Sequence, residues 1–132
     1  MTRNRLSNQR FEKLRFEFQI NMKRWQENPR EAQESASDMK QLTEIVLKGI
    51  REELAQYSTL PEFPDLQERV NWAEKYLCAR CNELVDFSSF DALSPEGKAF
   101  FGMGEDKEYQ EKTEPVDLPP FTFRVENMRA EP

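Results

Sequence analysis

The sequence contains no histidine, and this absence excludes several kinds of chemistry at once. Ser-His-Asp and Cys-His catalysis, histidine proton shuttles and histidine metal sites all need a side chain that the chain lacks. Its four glycines form no Gly-rich run, which excludes a loop that cradles phosphates. No arrangement of the remaining reactive residues stands out. We therefore expect a protein that is not an enzyme and that holds no cofactor.

Long apolar runs are also missing. No stretch approaches the ~18 apolar residues of a membrane span, and the polar N-terminus contains no signal-peptide core. The two cysteines fit a reducing compartment better than a disulfide framework. The sequence thus predicts a soluble protein without membrane association, located in the cytoplasm or elsewhere inside the cell.

The chain is poor in apolar residues, and its charge is unevenly distributed. Its 132 residues are 37% hydrophobic, against the ~45–50% usual in a globular domain, so the core should be small. The net charge is -6, yet residues 1–30 carry eight Lys and Arg residues and only three acidic ones. Either this basic segment packs on the acidic remainder of the chain, or it binds a partner of opposite charge.

Three long stretches without proline show helical periodicity. They predict helices at about residues 7–27, 29–57 and 65–85, with Ser7 as the N-cap of the first. Asn28-Pro29 ends the first helix and begins the second, because proline disfavours helical geometry in the residue before it.

The apolar stripes of these helices predict the core. In the first helix the residues expected to be buried are Phe11, Leu14, Phe18, Met22 and Trp25. In the second they are Ala32, Ala36, Met39, Leu42, Val46, Ile50, Leu54 and Tyr57, and Ile45 and Leu47 widen this stripe. In the third they are Leu66, Val70, Ala73, Leu77, Cys81 and Leu84. Ser94-Pro95 predicts a short fourth helix, which Gly102 ends.

The C-terminal part of the chain has a different character. Residues 105–132 are rich in acidic residues and proline and show no helical stripe, so we expect residues 105–114 to be disordered or solvated. Residues 121–125 alternate apolar and polar side chains, which is typical of a strand, but a lone strand is not stable in water. The predicted fold is therefore all-α: a small three-helix bundle with a short fourth helix (residues 1–104) and an acidic, proline-containing extended tail (residues 105–132).

Two cysteines, Cys78 and Cys81, have the spacing of half a zinc site. Zinc needs four ligands, and the chain offers no second cysteine pair and no histidine. A redox role would require a βαβ context that is missing. We interpret Cys81 as a core residue with Cys78 beside it, while metal binding and redox chemistry stay open as alternatives.

The first helix has an unusual second face. Opposite its apolar stripe, Phe16 and Ile20 lie among the basic residues Lys13, Lys23 and Arg24, although a helix with one buried face should be polar there. The helix could be central in the fold or covered by the tail, it could bind a protein with an acidic rim, or it could bind nucleic acid. In the last case Phe16 could stack on a base. The candidate phosphate contacts are Arg3, Arg5, Arg10, Lys13, Lys23 and Arg24.

These observations favour a non-catalytic helical adaptor or subunit that binds into a larger protein assembly. The expected contact residues are Phe16, Ile20, Lys23 and Arg24 in the first helix and Phe121, Phe123 and Val125 in the tail. The main alternative is a nucleic-acid-binding accessory protein that uses the basic first helix. A further alternative is an inhibitor that occupies a partner's binding surface.

Overall fold

The chain folds as a helical bundle with one short pair of strands. The computed structural model describes residues 4–6, 8–102 and 106–118. Along them the elements are β1 (Asn4–Leu6), α1 (Gln9–Glu27), α2 (Pro29–Leu54), α3 (Phe63–Val85), α4 (Pro95–Phe101), α5 (Lys107–Lys112) and β2 (Val116–Leu118). The predicted all-α bundle is confirmed. Among these helices, none combines the length and apolarity needed to span a membrane.

The boundary between α1 and α2 follows from two residues. Asn28 has backbone angles of φ −140° and ψ 84°, outside the helical region, because Pro29 disfavours that region in the residue before it. Pro29 itself takes the first position of α2, where its missing N–H is not needed. The chain therefore turns here, and α1 packs beside α2. Ser7, the predicted cap, lies outside the described residues, and Asn8 forms no side-chain capping bond.

The predicted apolar stripes of α1 and α3 form the core. Every residue of these two stripes is buried. Phe18 of α1 meets Phe100 and Phe101 of α4 edge to face, with ring centroids 5.2 and 5.6 Å apart. α1 is therefore held by α2 on one side and by α4 on another.

The predicted stripe of α2 is wrong in part. Thr43 is fully buried, whereas Leu42 and Val46 are half-buried and Ile45 is 63% exposed. Thr43 tolerates burial because its hydroxyl donates a hydrogen bond of 2.8 Å to the backbone carbonyl of Met39. The buried stripe therefore runs through a threonine, which a search for apolar residues passes over.

The segment expected to lie in solvent, residues 105–114, contains the further helix α5. Asp106, Tyr109 and Thr113 are buried, so this expectation is wrong. Tyr109 anchors α5, since its ring packs edge to face on Phe11 and its hydroxyl donates to the Phe11 carbonyl at 3.0 Å. One aromatic residue in a helix of six residues forms no stripe, and the sequence pattern therefore missed this helix.

The strand pair brings together the two ends of the described chain. β2 lies antiparallel to β1, with Leu6 opposite Val116. The predicted boundary after residue 104 therefore does not separate residues 106–118 from the rest of the fold. Residues 119–132 lie outside the described residues, and for them the extended tail stays a prediction.

Candidate interaction face of the first helix

The structure leaves two large apolar side chains of α1 in solvent. Phe16 is 59% exposed and Ile20 is 43% exposed, although Leu14 and Phe18 of the same helix are buried. Residues four apart are neighbours on a helix surface, so the two exposed side chains lie one turn apart. No described element covers them, which contradicts the interpretation that this second face is internal core. We call Lys13, Phe16, Ile20, Lys23 and Arg24 the α1 face.

Basic side chains lie at both ends of this apolar pair. Lys13 precedes Phe16 by three residues, Lys23 follows Ile20 by three, and both lysines are exposed. Neither forms an ion pair with another described residue. Arg24 is different, because its guanidinium is bonded to Glu31 at the start of α2.

The other arginines of the basic segment also have acidic partners within the chain. Arg10 lies 3.7 Å from a carboxylate oxygen of Glu53, and Arg15 is bonded to Glu12 and Asp106 at 2.9 Å each. The interpretation that the basic segment packs on the acidic remainder is therefore supported at these arginines. Arg3 and Arg5 are the remaining candidate phosphate contacts. Arg3 lies outside the described residues, and for Arg5 the structure gives only its position in β1.

A groove of about 690 Å³ runs along α1 beside Phe16. Its other lining residues are polar: Asn8, Gln9, Glu12, Lys13, Arg15 and Gln19. Gln19 is fixed there because its side-chain amide donates to the backbone carbonyls of Phe100 at 3.2 Å and Gly102 at 2.7 Å. The wall of this groove is therefore held by α4 as well as by α1.

Asp106 is bonded to Arg15, a lining residue of the groove, and was not identified from the sequence as a site residue. Its side chain is fully buried and accepts hydrogen bonds from Arg15 at 2.9 Å and from Gln110 at 3.2 Å. Its Oδ2 atom has no hydrogen-bond partner among the described residues. Burial raises the pKa of this carboxyl above its ordinary value, and the neighbouring guanidinium opposes that rise. The pairing of Arg15 with Asp106 ties α1 to the start of α5.

Aromatic rings fill the space between α1, α3, α4 and α5. Tyr76 stacks on Trp72 at 4.9 Å and on Tyr109 at 5.6 Å, and Tyr109 meets Phe100 edge to face at 5.1 Å. Burial raises the pKa of the Tyr109 hydroxyl far above its ordinary value. Phe100 and Tyr109 are buried core residues, and Trp72 and Tyr76 are partly buried and pack against the core.

The cysteines occupy the positions expected of core residues. Cys81 is 1% exposed and its sulfur lies 3.8 Å from the Thr43 hydroxyl, while Cys78 is half-buried. α3 continues through both residues, and burial raises the pKa of the Cys81 thiol to about 11. The described residues contain no group of three or more His, Cys, Asp or Glu side chains placed to hold a metal.

The predicted contacts in the tail, Phe121, Phe123 and Val125, lie outside the described residues. The face that the structure shows is therefore formed by α1 alone. Comparison of the chain with protein-family models, with curated proteins and with solved structures gives no significant match.

Proposed function

We propose that the chain is a non-catalytic helical subunit or adaptor, which binds into a larger protein assembly through the α1 face. The observation that carries this proposal is the exposure of Phe16 and Ile20, one turn apart, on a helix whose opposite side is packed. Polar residues normally occupy the outer side of such a helix. Adjacent large apolar side chains in that position are typical of a surface that a partner covers.

The composition of the α1 face fits a protein partner. Aromatic residues are enriched at the centres of protein interfaces, and full burial of a Phe or Ile side chain contributes about 1.5–3 kcal/mol. Lys23 and Arg24 would belong to the polar rim of such an interface. Arg24 retains an exposed surface although it is bonded to Glu31.

The proposal includes a second contact through the tail, in which Phe121, Phe123 and Val125 add a strand to the edge of a partner's sheet. Its support is the alternating sequence of residues 121–125, since an added strand satisfies the backbone groups that a lone strand leaves open.

Nucleic acid is the main alternative partner, and the ion pairs of the basic segment weigh against it. Arg10, Arg15 and Arg24 each contact an acidic residue of this chain. That leaves Lys13 and Lys23 as the exposed phosphate contacts without an ion pair among the described side chains. Labelled single- and double-stranded oligonucleotides, titrated at about 50 and 200 mM salt, test this alternative, because binding through many phosphates is steeply salt-dependent.

An inhibitor that occupies a partner's binding surface would use the same α1 face. An activity assay on a captured partner distinguishes that role from the role of an adaptor. Loss of the partner's activity in proportion to complex formation would favour the inhibitor.

The proposal is tested by replacing both Phe16 and Ile20 with Gln. The full chain, immobilised in native extract, should capture partners reproducibly, and the double variant should lose them by quantitative mass spectrometry. Ile45→Gln is the matched control, because Ile45 is also exposed but lies on α2. Leu14→Ala calibrates core damage, with an expected loss of about 2–5 kcal/mol in the free energy of unfolding.

Two results would contradict the proposal. One is a set of captured proteins that is unchanged in the Phe16/Ile20 double variant. The other is a fall in thermal stability as large as that of Leu14→Ala, since the side chains would then belong to the core.

A further inference from the structure

The outer side of α1 carries one continuous stripe of exposed residues. Its members recur at alternating spacings of four and three residues, a repeat that keeps side chains in line along a helix: Gln9, Lys13, Phe16, Ile20, Lys23 and Glu27. The stripe therefore extends beyond the α1 face at both ends, and Ile20 lies near its middle.

Four exposed charges on this side of α1 have no ion pair among the described residues, and their signs alternate along the helix. They are Lys13, Glu17, Lys23 and Glu27. The neighbouring charges are paired within the chain, for example Arg15 with Glu12. A partner with charges of one sign would meet repulsion at two of the four positions. The occupant of this face should therefore carry both signs in a matching order.

The same helix presents the matching order when it runs in the opposite direction. Lys13 lies seven positions before Ile20 and Glu27 lies seven positions after it. Glu17 lies three positions before Ile20 and Lys23 lies three after it. In an antiparallel pair of α1 helices centred on Ile20, each of these cations is therefore level with a carboxylate of the other copy. Two-fold symmetry forms each contact twice.

We propose that the occupant of the α1 face is a second copy of this chain, bound with its α1 antiparallel to the first and with Ile20 at the two-fold axis. This inference rests on the proposed function and names the partner of the same face. Ile20 then packs on Ile20 of the second copy. The Phe16 ring lies level with Arg24 and beside Lys23 of the second copy, whose aliphatic stems are apolar and whose cations are attracted to an aromatic ring.

Other arrangements of two copies match less well. In a parallel pair, each charge faces its own counterpart. In an antiparallel pair centred between Phe16 and Ile20, Lys13 is level with Lys23 of the second copy. Like charges opposite each other oppose association, so charge selects the antiparallel pair centred on Ile20. Because one helix of each copy forms the contact, the buried area is small and the dimer should dissociate on dilution.

The test is sedimentation velocity of the full chain at low salt, over a range of about 10 µM to 1 mM. Lys13→Glu and Glu27→Lys each turn two contacts between opposite charges into contacts between like charges, so each should weaken the dimer roughly tenfold. The double variant restores opposite charges in exchanged positions and should dimerise as the wild type does. An equimolar mixture of the two single variants should also dimerise, because each changed charge then meets its opposite.

Two sets of variants serve as controls. Lys40→Glu and Glu44→Lys make the same charge changes at exposed positions of α2 and should leave dimerisation unchanged. Replacement of both Phe16 and Ile20 with Gln should abolish the dimer. Thermal unfolding of each variant, followed by circular dichroism, separates loss of the dimer from loss of the fold.

Three results would overturn the inference and leave the proposed function to the capture experiment. A chain that stays monomeric up to about 1 mM is the first, and capture that needs Phe16 and Ile20 would then identify another protein as the occupant. The second is a dimer that neither charge variant weakens, or that Lys13→Glu strengthens. The third is dimerisation that appears only after Phe121, Phe123 and Val125 are changed to Gln, which would identify the tail. The expected dimer, together with captured proteins that are unchanged in the Phe16/Ile20 double variant, would support the inference and contradict the proposed function.

Discussion

At the scale of single residues, Glu83 organises the start of α4. One of its carboxylate oxygens accepts from the backbone N–H of Ser94 at 2.7 Å, and the other accepts from Arg80 at 2.7 Å. The Ser94 hydroxyl in turn accepts from the backbone N–H of Gly97 at 3.0 Å and caps the helix, whose start at this point was predicted. A side chain of α3 thereby fixes where α4 begins.

A side chain at position 97 would force the Glu83 carboxylate to move. A Cβ atom there would lie 2.7 and 2.8 Å from the Glu83 carboxylate oxygens. Gly97→Ala should therefore displace Glu83, break its bond to Ser94 and lower the free energy of unfolding by about 1–3 kcal/mol in urea titrations. Gly49→Ala is the control, because its Cβ would meet Arg10 at an ordinary 3.6 Å and should stabilise α2 by about 0.5–1 kcal/mol. Equal effects of the two changes would contradict this account.

The buried carboxyl of Asp106 predicts a pH dependence of stability. Its folded-state pKa is raised, so the folded chain holds this proton to a higher pH than the unfolded chain does. The corresponding stability is complete below the unfolded pKa and is lost as pH rises through the folded pKa. Urea titrations between about pH 3.5 and 7 begin near the ordinary carboxyl pKa and extend above it. As pH rises over this range, the unfolding free energy of the wild type should fall relative to that of Asp106→Asn.

The control for this prediction is Asp38→Asn, which removes the same charge at an exposed position of α2. The Asp38 variant measures what removal of an exposed carboxylate does to the unfolding free energy over this range. If the difference between wild type and Asp106→Asn changes with pH no more than the difference measured with this control, burial does not govern the titration of Asp106.

At the scale of elements, Tyr109 makes the aromatic contacts that pack α5 on the bundle. Tyr109 is fully buried, contacts Phe11, Tyr76 and Phe100, and donates its hydroxyl hydrogen to the Phe11 carbonyl. The expectation that residues 105–114 are disordered or solvated therefore does not hold for α5.

Two substitutions at Tyr109 separate packing from hydrogen bonding. Tyr109→Phe should cost about 1 kcal/mol for the lost bond, and Tyr109→Ala about 3–5 kcal/mol for the lost ring, measured by urea unfolding. Hydrogen exchange should show that Tyr109→Ala exposes the amides of α5 while those of α3 stay protected. An unchanged exchange pattern in α5 would show that other contacts hold this helix.

The sequence predicted those elements whose information is local or periodic. Pro29 determined the joint between α1 and α2, and stripes of apolar residues identified α1 and α3. The burial of Thr43 was not predicted because it depends on a hydrogen bond to the Met39 carbonyl, which composition does not reveal. α5 was not predicted because Tyr109 packs on the rings of Phe11 and Tyr76, which lie far away in the sequence.

The α1 face was predictable in part. Phe16 and Ile20 break the polar pattern expected of an outer face, and the sequence shows this directly. The sequence could not show which cations of the face are neutralised, because the partner of Arg24 is Glu31 of α2, whereas Lys13 and Lys23 form no ion pair among the described residues. The charge pattern of the face therefore depends on tertiary contacts.

At the scale of the whole molecule, Cys81 provides a probe of global unfolding. It is 1% exposed and lies beside Thr43 of α2, and burial raises its pKa to about 11, which disfavours the reactive thiolate at pH 8. In Cys78→Ser, labelling of Cys81 by an aromatic disulfide should therefore be limited by opening of the whole bundle. The half-buried Cys78, measured in Cys81→Ser, is the comparison. Equal labelling rates for the two cysteines in the native chain would refute this expectation.

The pairing of β1 with β2 turns the described chain into a closed loop. Leu6 lies opposite Val116, although nearly the whole described chain separates them. Closing a loop costs entropy that grows with the logarithm of its length, and strands of three residues return few hydrogen bonds. The α1–α2 hairpin joins sequence neighbours, whereas this clasp can close only after the helices have brought its ends together. We therefore expect the clasp to fold last and open first, as a reversible fraying that leaves the core intact.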